Sequence, residues 1–149
     1  MKMPPLGDDG LQDLIASPVI AKLATTDARG DIRITPITFR SQEDGTFLMA
    51  TWANTAVARN VRANPRCSLL IDQENPPFYG VHYWGTATVL GEPDAESIAR
   101  IIERYVGGPE NAGGLAQEVL GRGETVFVTF RPERRVAWDL PPGLDAARY

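Results

Sequence analysis

The chain has little of what catalytic sites are usually built from. Among its 149 residues there is one cysteine, Cys67, and one histidine, His82. A single cysteine excludes an intrachain disulfide. Cys67 also sits in an apolar run, Cys67-Ser68-Leu69-Leu70-Ile71, where a buried and inert thiol is expected. That usage fits a reducing, cytoplasmic setting. A zinc site of the usual type needs more ligands than these, so no metal is expected. A Ser-His-Asp triad would have to use His82, which lies mid-strand with no nucleophile motif around it. The glycine fingerprints of phosphate loops and dinucleotide folds are missing. No apolar run reaches membrane-spanning length, and the first residues carry no apolar leader core, so no membrane partner is expected. Basic residues do not dominate either. There are 15 Lys and Arg against 19 Asp and Glu, a net charge of −4, which argues against nucleic acid as the main partner. A local basic pocket for one small anion stays possible. Asp8 with Asp9, and Glu92 with Asp94, fall at helix starts, where carboxylates are favourable for structural reasons.

What is present is an ordinary globular composition, 43% hydrophobic and 23% charged. The length predicts one domain over residues 1–149, with a loose arm at 1–7 and a polar tail at 144–149. Asp8 or Asp9 is expected to cap a short helix over residues 10–16. Strands are expected over 19–26, 31–40, 46–51, 66–72, 78–90, 125–131 and 135–140. The last two would be joined by a Pro132-Glu133-Arg134 turn. Pro36 within the second strand cannot donate to a ladder, so it marks an edge, a bulge or a break in pairing. Gly80 and Gly85 suggest bulges or a tight corner. Residues 94–106 form an amphipathic helix with Ile98, Ile101, Ile102 and Tyr105 on one face. A shorter helix broken by glycines is expected over 109–123. Seven strands with four helices, mostly in short antiparallel connections, read as a small β-barrel with helices packed outside.

The most informative stretch is Thr51-Trp52-Ala53-Asn54-Thr55. A strand runs directly into hydroxyl and amide residues, and a helix over 55–63 begins, carrying Arg59 and Arg62. A helix start is a ready anion site, because its first N–H groups lack partners and the dipole places partial positive charge there. Asn54 or Thr55 can cap it. The alternative is an ordinary capped helix joining two strands. With no evident acid or nucleophile, a polar and aromatic set of this kind suits a cofactor that carries the chemistry itself.

Several segments together resemble the pyridoxamine 5′-phosphate oxidase-like split-barrel flavoproteins, and within them the flavin- and deazaflavin-dependent oxidoreductase branch. They are Ser17-Pro18-Val19-Ile20-Ala21-Lys22-Leu23-Ala24-Thr25, Asp27-Ala28-Arg29-Gly30, Pro36, the stretch 51–55, Arg59-Asn60-Val61-Arg62, Asn64-Pro65-Arg66, Gly85-Thr86-Ala87, Trp138 and Leu140-Pro141-Pro142-Gly143. The resemblance spans roughly residues 11–143. It implies a mainly β, six-stranded split barrel, forming a homodimer with cofactor sites at the interface. It implies ring-side contacts from Pro36, Ile37, Thr38 and Thr51. It implies phosphate-side contacts from Trp52, Thr55, Ala56, Val57, Arg59 and Asn60, with Lys22 reaching the same groove. A partner subunit would add His82, Trp84 or Trp138. Many relatives carry a lysine where this chain has Val57. The implied function is hydride transfer from reduced coenzyme F-420, favoured over FMN, to a small conjugated or quinone-like acceptor. The proton would come from solvent or a tyrosine such as Tyr79 or Tyr83. The alternatives are a flavin, F-420 or haem carrier without turnover, and an FMN-dependent enzyme acting on pyridoxamine phosphate.

Overall fold

The computed structural model of the protein describes residues 5–140. Part of the expected arm, and the polar tail, lie outside that range. Helix α1 spans Asp8–Ala16. Strands β1 (Ala21–Thr26), β2 (Ile32–Ile37), β3 (Phe39–Ser41) and β4 (Phe47–Trp52) follow. Then come α2 (Ala56–Ala63), β5 (Arg66–Asp72), β6 (Tyr79–Leu90), α3 (Ala95–Ile102), α4 (Pro109–Gly121) and β7 (Thr125–Asp139). The strands form one antiparallel sheet in the order β2-β1-β5-β6-β7-β4-β3. Among the described residues no helix is long and apolar enough to cross a membrane.

The two ends of that order are consecutive in the chain. The expected strand over 31–40 is broken at Thr38. Its first half pairs with β1, ending at Ala21 opposite Ile37, and its second half pairs with β4, starting at Phe39 opposite Met49. Pro36, opposite Lys22 on the edge strand β2, explains part of this. With no N–H it cannot recruit a further strand, and the chain leaves β1 within two residues. The sheet therefore curls into a barrel closed by a covalent crossing rather than by a ladder. Counted with the crossing as one bent segment, the barrel has the six strands that the resemblance implied.

Three further expectations are corrected. β7 runs unbroken through Pro132, because a bulge lies there: Trp84 faces Arg134 and Gly85 faces Pro132, leaving Glu133 extra. Gly85 permits this approach, since a Cβ there would lie 2.1 Å from the Arg131 carbonyl oxygen. Helix α4 is longer than α3 and continuous through Gly113 and Gly114. Helix α1 starts at Asp8 itself, with Gly7 as its cap residue and no side-chain cap bond.

The main core fills the barrel. Phe39, Phe130, Leu23, Leu69, Met49 and Val128 are fully enclosed, and α1 and α2 add Leu14, Val57 and Val61. A second cluster lies outside it, where Ile98 and Ile101 of α3 and Ala116 of α4 cover Phe127, Leu48 and Ala50 on β7 and β4.

The seam at Thr38 is held by side chains from the turn after α3. The Tyr105 hydroxyl accepts from the Phe39 N–H at 3.2 Å and donates to the Val19 carbonyl at 3.0 Å. The Arg104 guanidinium donates to the carbonyls of Phe39, Ile15 and Ser17, and lies 4.4 Å over the Phe39 ring. These groups supply what a neighbouring strand would have supplied. Charge-assisted bonds are worth about 1.5–3 kcal/mol each when a partner is lost. Arg104→Met should therefore lower stability in urea unfolding by about 2–4 kcal/mol, and Tyr105→Phe by about 1–2 kcal/mol. Losses under about 0.5 kcal/mol in both would show that the seam is held by something else.

Candidate functional site at the split of the barrel

The crossing at Thr38 leaves two strand edges open. Among the described residues β2 has β1 on one side and no strand on the other. On β4, pairing with β3 ends at Met49, so Ala50, Thr51 and Trp52 have only β7 beside them. Helix α2 begins four residues past Trp52, at Ala56.

The start of α2 is built by hydroxyls. Thr55 is its cap residue, accepting from the Ala58 N–H at 3.4 Å and donating to the Trp52 carbonyl at 2.9 Å. The Thr51 and Thr55 hydroxyls lie 3.0 Å apart. The first backbone turn within the helix closes with the Arg59 N–H on the Thr55 carbonyl, so the N–H groups of Ala56 and Val57 precede any intrahelical bond. Arg59 donates to the Asn54 carbonyl at 2.8 Å and Arg62 to the Ala53 carbonyl at 3.0 Å. Both guanidiniums lie against the loop that opens the helix, each with N–H groups to spare.

Two cavities meet at Trp52. One, of about 550 Å³, is polar: the loop residues Ala53 and Asn54 face Arg62, Arg122 and Glu124. The other, of about 210 Å³, lies between β4 and the α3–α4 pair; Thr38 and Thr51 are at one side and Ile98, Ile102 and Val119 at the other. The Trp52 indole N–H donates to the Val119 carbonyl at 3.3 Å and keeps the ring between them.

The residues singled out from sequence fall into three groups. Thr38, Thr51 and Trp52 line the apolar cavity, and Thr55, Ala56 and Arg59 lie at the adjoining helix start. Ile37, Val57 and Asn60 have their side chains inside: Ile37 and Val57 belong to the core, and Asn60 donates to the buried Thr25 hydroxyl at 3.1 Å. Lys22, beside the exposed Pro36, is engaged by Asp72 at 2.6 Å and Glu74 at 3.0 Å. His82 and Trp138 lie on the outer face of the sheet. The His82 ring is 3.9 Å from that of Trp84; burial, aided by the charge of Arg134, lowers its pKa and leaves it neutral. Trp138 lies across Gly80, where a Cβ would come within 2.6 Å of its ring.

Sequence reasoning missed Arg122 and Glu124, which reach the polar cavity from beyond the end of α4. It assigned Ile98, Ile101 and Ile102 to the core, and their periodicity carried no sign that part of this face lines a cavity. Among the described residues one buried side-chain oxygen lacks a partner, the Thr35 hydroxyl on β2. Among the described residues no group of three or more His, Cys, Asp or Glu is placed to hold a metal ion.

A family model described as pyridoxamine 5′-phosphate oxidase matches residues 8–139. The chain belongs to this family. No curated protein sequence matches it. Among solved structures, a conserved hypothetical protein of Mycobacterium tuberculosis superposes with a TM-score of 0.76 at 23% identity, over 93% of this chain and 90% of that one. A protein named F420 reductase gives 0.66 at 18% identity, over 85% and 95% of the two chains. The haem-storage protein HutZ of Vibrio cholerae gives 0.69 at 19%, over 89% and 96%. These similarities show the split-barrel fold. The family groups flavin-binding split-barrel proteins, oxidoreductases among them.

The placement of Lys22 has a consequence for pH dependence. Burial opposes its charge, but hydrogen bonds and ionic attraction from Asp72 and Glu74 outweigh that and raise its pKa above the ordinary 10.5. A raised folded-state value means that the stabilisation is fully present below that ordinary value and is lost as pH rises through the folded-state value. Lys22→Met should flatten the alkaline limb of a stability–pH curve and leave its shape between pH 6 and pH 9 unchanged. An alkaline limb that keeps its slope in the variant would exclude Lys22 as its source.

Proposed function

We propose that this chain binds a phosphate-bearing flavin-type cofactor at the split of the barrel and works as an oxidoreductase, with coenzyme F-420 favoured over FMN. The observation that carries the reading is the start of α2, where two threonine hydroxyls, two N–H groups without intrahelical partners and the Arg59 guanidinium converge. Such a cluster suits a phosphate. The open edges of β2 and β4 suit the planar ring, because the backbone there is free of ladder partners. The orphaned Thr35 hydroxyl on β2 is consistent with a bound group that satisfies it. The preference for F-420 rests on the resemblance to the deazaflavin branch; Val57 does not separate the two cofactors. That side chain packs in the core, so the lysine charge common in relatives is absent and Arg59 is the nearest cation on the helix.

Bound in its reduced form, a flavin or deazaflavin supplies a hydride, and the acceptor takes up one proton besides. The chain's own groups hold and orient. Thr51 and Thr55 fix the phosphate end against the helix start, and Trp52 walls the site from the polar cavity. Tyr83 is not the proton donor in this reading. It packs against Phe47 with ring centroids 5.2 Å apart and lines a different opening, beside Gln12 and Gln42. Burial raises its pKa against the opposing effect of Arg135, so it keeps its proton. Solvent or Tyr79 is left as the proton's source.

Titration of the purified protein with oxidised F-420, FMN and haem tests this. Tight binding of F-420 alone is expected, and Arg59→Ala should weaken it tenfold or more, as a lost charge-assisted bond of about 1.5–3 kcal/mol requires. Binding of haem alone would establish the carrier reading in its place.

The outer face of the sheet supports a homodimer. Ile32 and Ile34 are 74% and 67% exposed, and Val136 is 49% exposed. The register connects this surface across the sheet, from Ile34 through Ala24, Ser68 and Trp84 to Arg134. Helices α3 and α4 cover β4 and part of β7 but leave this region bare. Exposed isoleucines and a valine on one uncovered sheet face suit a contact with a second copy. The double variant Ile32→Glu, Ile34→Glu should be monomeric by light scattering and should lose cofactor affinity if His82 or Trp138 of a second copy completes the site. A dimer that survives both charges would place the contact elsewhere.

A further inference from the structure

A second opening lies at the other end of the β3–β4 hairpin, away from Thr38. Its volume is about 380 Å³, and its floor is made by Leu11 and Ile15 of α1 with Phe47 and Tyr83 of the barrel core. Phe47 and Trp52 are the two ends of β4. At about 3.3 Å per residue, roughly 16 Å of strand separates this opening from the start of α2. Tyr83 pairs with Arg135 across the β6–β7 ladder, so the two side chains share the face that turns into the barrel. Tyr83 is 5% exposed, and the Arg135 guanidinium neighbours its hydroxyl at the mouth. Arg135 is poorly engaged. Among the described residues its one carboxylate contact is Asp8 at 3.5 Å, on a side chain that is 94% exposed. Lys22 and Arg66, by contrast, hold carboxylates at 2.6 Å. A charge-assisted N–H···O bond is normally about 2.7–2.9 Å long. The Asp8 contact falls short of one, and the guanidinium fork keeps donors for a ligand.

Guanidinium and phenol donors above an apolar floor fit one kind of molecule. The planar fork of an arginine matches a carboxylate. Burial raises the Tyr83 pKa, so the phenol keeps its proton and can donate. The floor suits a hydrocarbon body. An apolar cavity of about 150 Å³ accepts a benzene ring, so this larger one has room for a ring with a short arm. Glu43 lines the rim and Asp8 stands beside Arg135, which disfavours a second negative charge on the ligand. We propose that this opening is a binding site, separate from the cofactor site, for a small organic monocarboxylate with an apolar body. The carboxylate pairs with Arg135 in place of Asp8 and accepts from the Tyr83 hydroxyl, while the body lies against Leu11, Ile15 and Phe47. Neither the site nor its ligand depends on the flavin-type reading.

The test titrates the full chain with phenylacetate, followed by ligand-observed NMR, with phenylacetamide and inorganic phosphate as controls. Phenylacetate is expected to bind at millimolar concentration or below, and both controls at least about tenfold more weakly. Arg135→Gln should weaken phenylacetate about tenfold or more, and Tyr83→Phe by a smaller factor. Asp8→Asn removes the competing carboxylate and should tighten binding about twofold or more, an effect that damage to the fold would not produce. Arg59→Ala, at the start of α2, should leave phenylacetate binding unchanged. A thermal melt within a few degrees of the parent's confirms that each variant folds. Absence of phenylacetate binding, equal binding of the amide, or binding that ignores Arg135→Gln overturns the proposal. So does an Asp8→Asn variant that binds no more tightly than the parent. Loss of phenylacetate binding in Arg59→Ala would put the carboxylate at the cofactor site and overturn it as well.

Discussion

A barrel whose two edges belong to one bent strand cannot close itself with hydrogen bonds, and this constraint shapes the rest of the molecule. At Thr38 the chain leaves β1 for β4, and the backbone of Phe39 is left with groups that no strand reaches. A buried N–H or carbonyl without a partner costs as much as a lost hydrogen bond or more. The Tyr105 hydroxyl and the Arg104 guanidinium meet that need, and they come from the far side of the sequence. Among the described residues Arg104 has no carboxylate partner. It spends its donors on three main-chain carbonyls, which ties the end of α1, the seam and the turn after α3 into one unit. The opening between β2 and β4 therefore has rigid margins, which a site needs in order to hold a planar ring in one orientation.

The same constraint explains why two prolines behave differently. Pro36 and Pro132 both lie in segments that read as strands, and both lack an N–H. Pro36 lies on an edge, where pairing stops soon after it. Pro132 lies opposite Gly85, where a bulge removes the need for its donor and the strand continues to Asp139. Nothing local distinguishes the two. The deciding facts are the neighbours across the sheet, and single-sequence reading does not see register. Splitting one expected strand and fusing two others left the count at seven, so the barrel was legible even though two of its boundaries were not. The helix α4 was misjudged for a related reason. Glycine costs a helix roughly 0.5–1 kcal/mol relative to alanine, but Ala112 and Ala116 are fully buried in that helix, and its packing on α3 offsets the cost.

What could be read of the candidate site was its local chemistry. A threonine before a helix announces a cap, and a cap announces free N–H groups close by. Side chains whose direction depends on distant partners could not be read in that way. Lys22 was expected in the groove, yet its partners Asp72 and Glu74 lie fifty residues on and belong to the neighbouring strand and the loop after it. Val57 and Asn60 share the helix with Arg59, but the i, i+3 geometry turns them into the barrel while Arg59 faces the loop. A helix of eight residues is too short for its sequence alone to reveal which face meets the core.

Trp52 divides the region into a polar and an apolar compartment, and this division follows from where the ring is anchored. Its indole N–H is committed to a carbonyl of α4, so the ring stands between the loop at Ala53–Asn54 and the Ile98–Ile102 face. Charge is favoured where Arg62 and Arg122 stand, and apolar surface is favoured where it displaces poorly held water from isoleucine and valine. The two compartments are therefore tuned by different residues. Changes to the arginines alter the attraction for anions without reshaping the apolar cavity, and changes to α3 or α4 reshape that cavity without touching the helix start. Had Trp52 been a small residue, the compartments would merge into one open cleft. Water would then enter the apolar side.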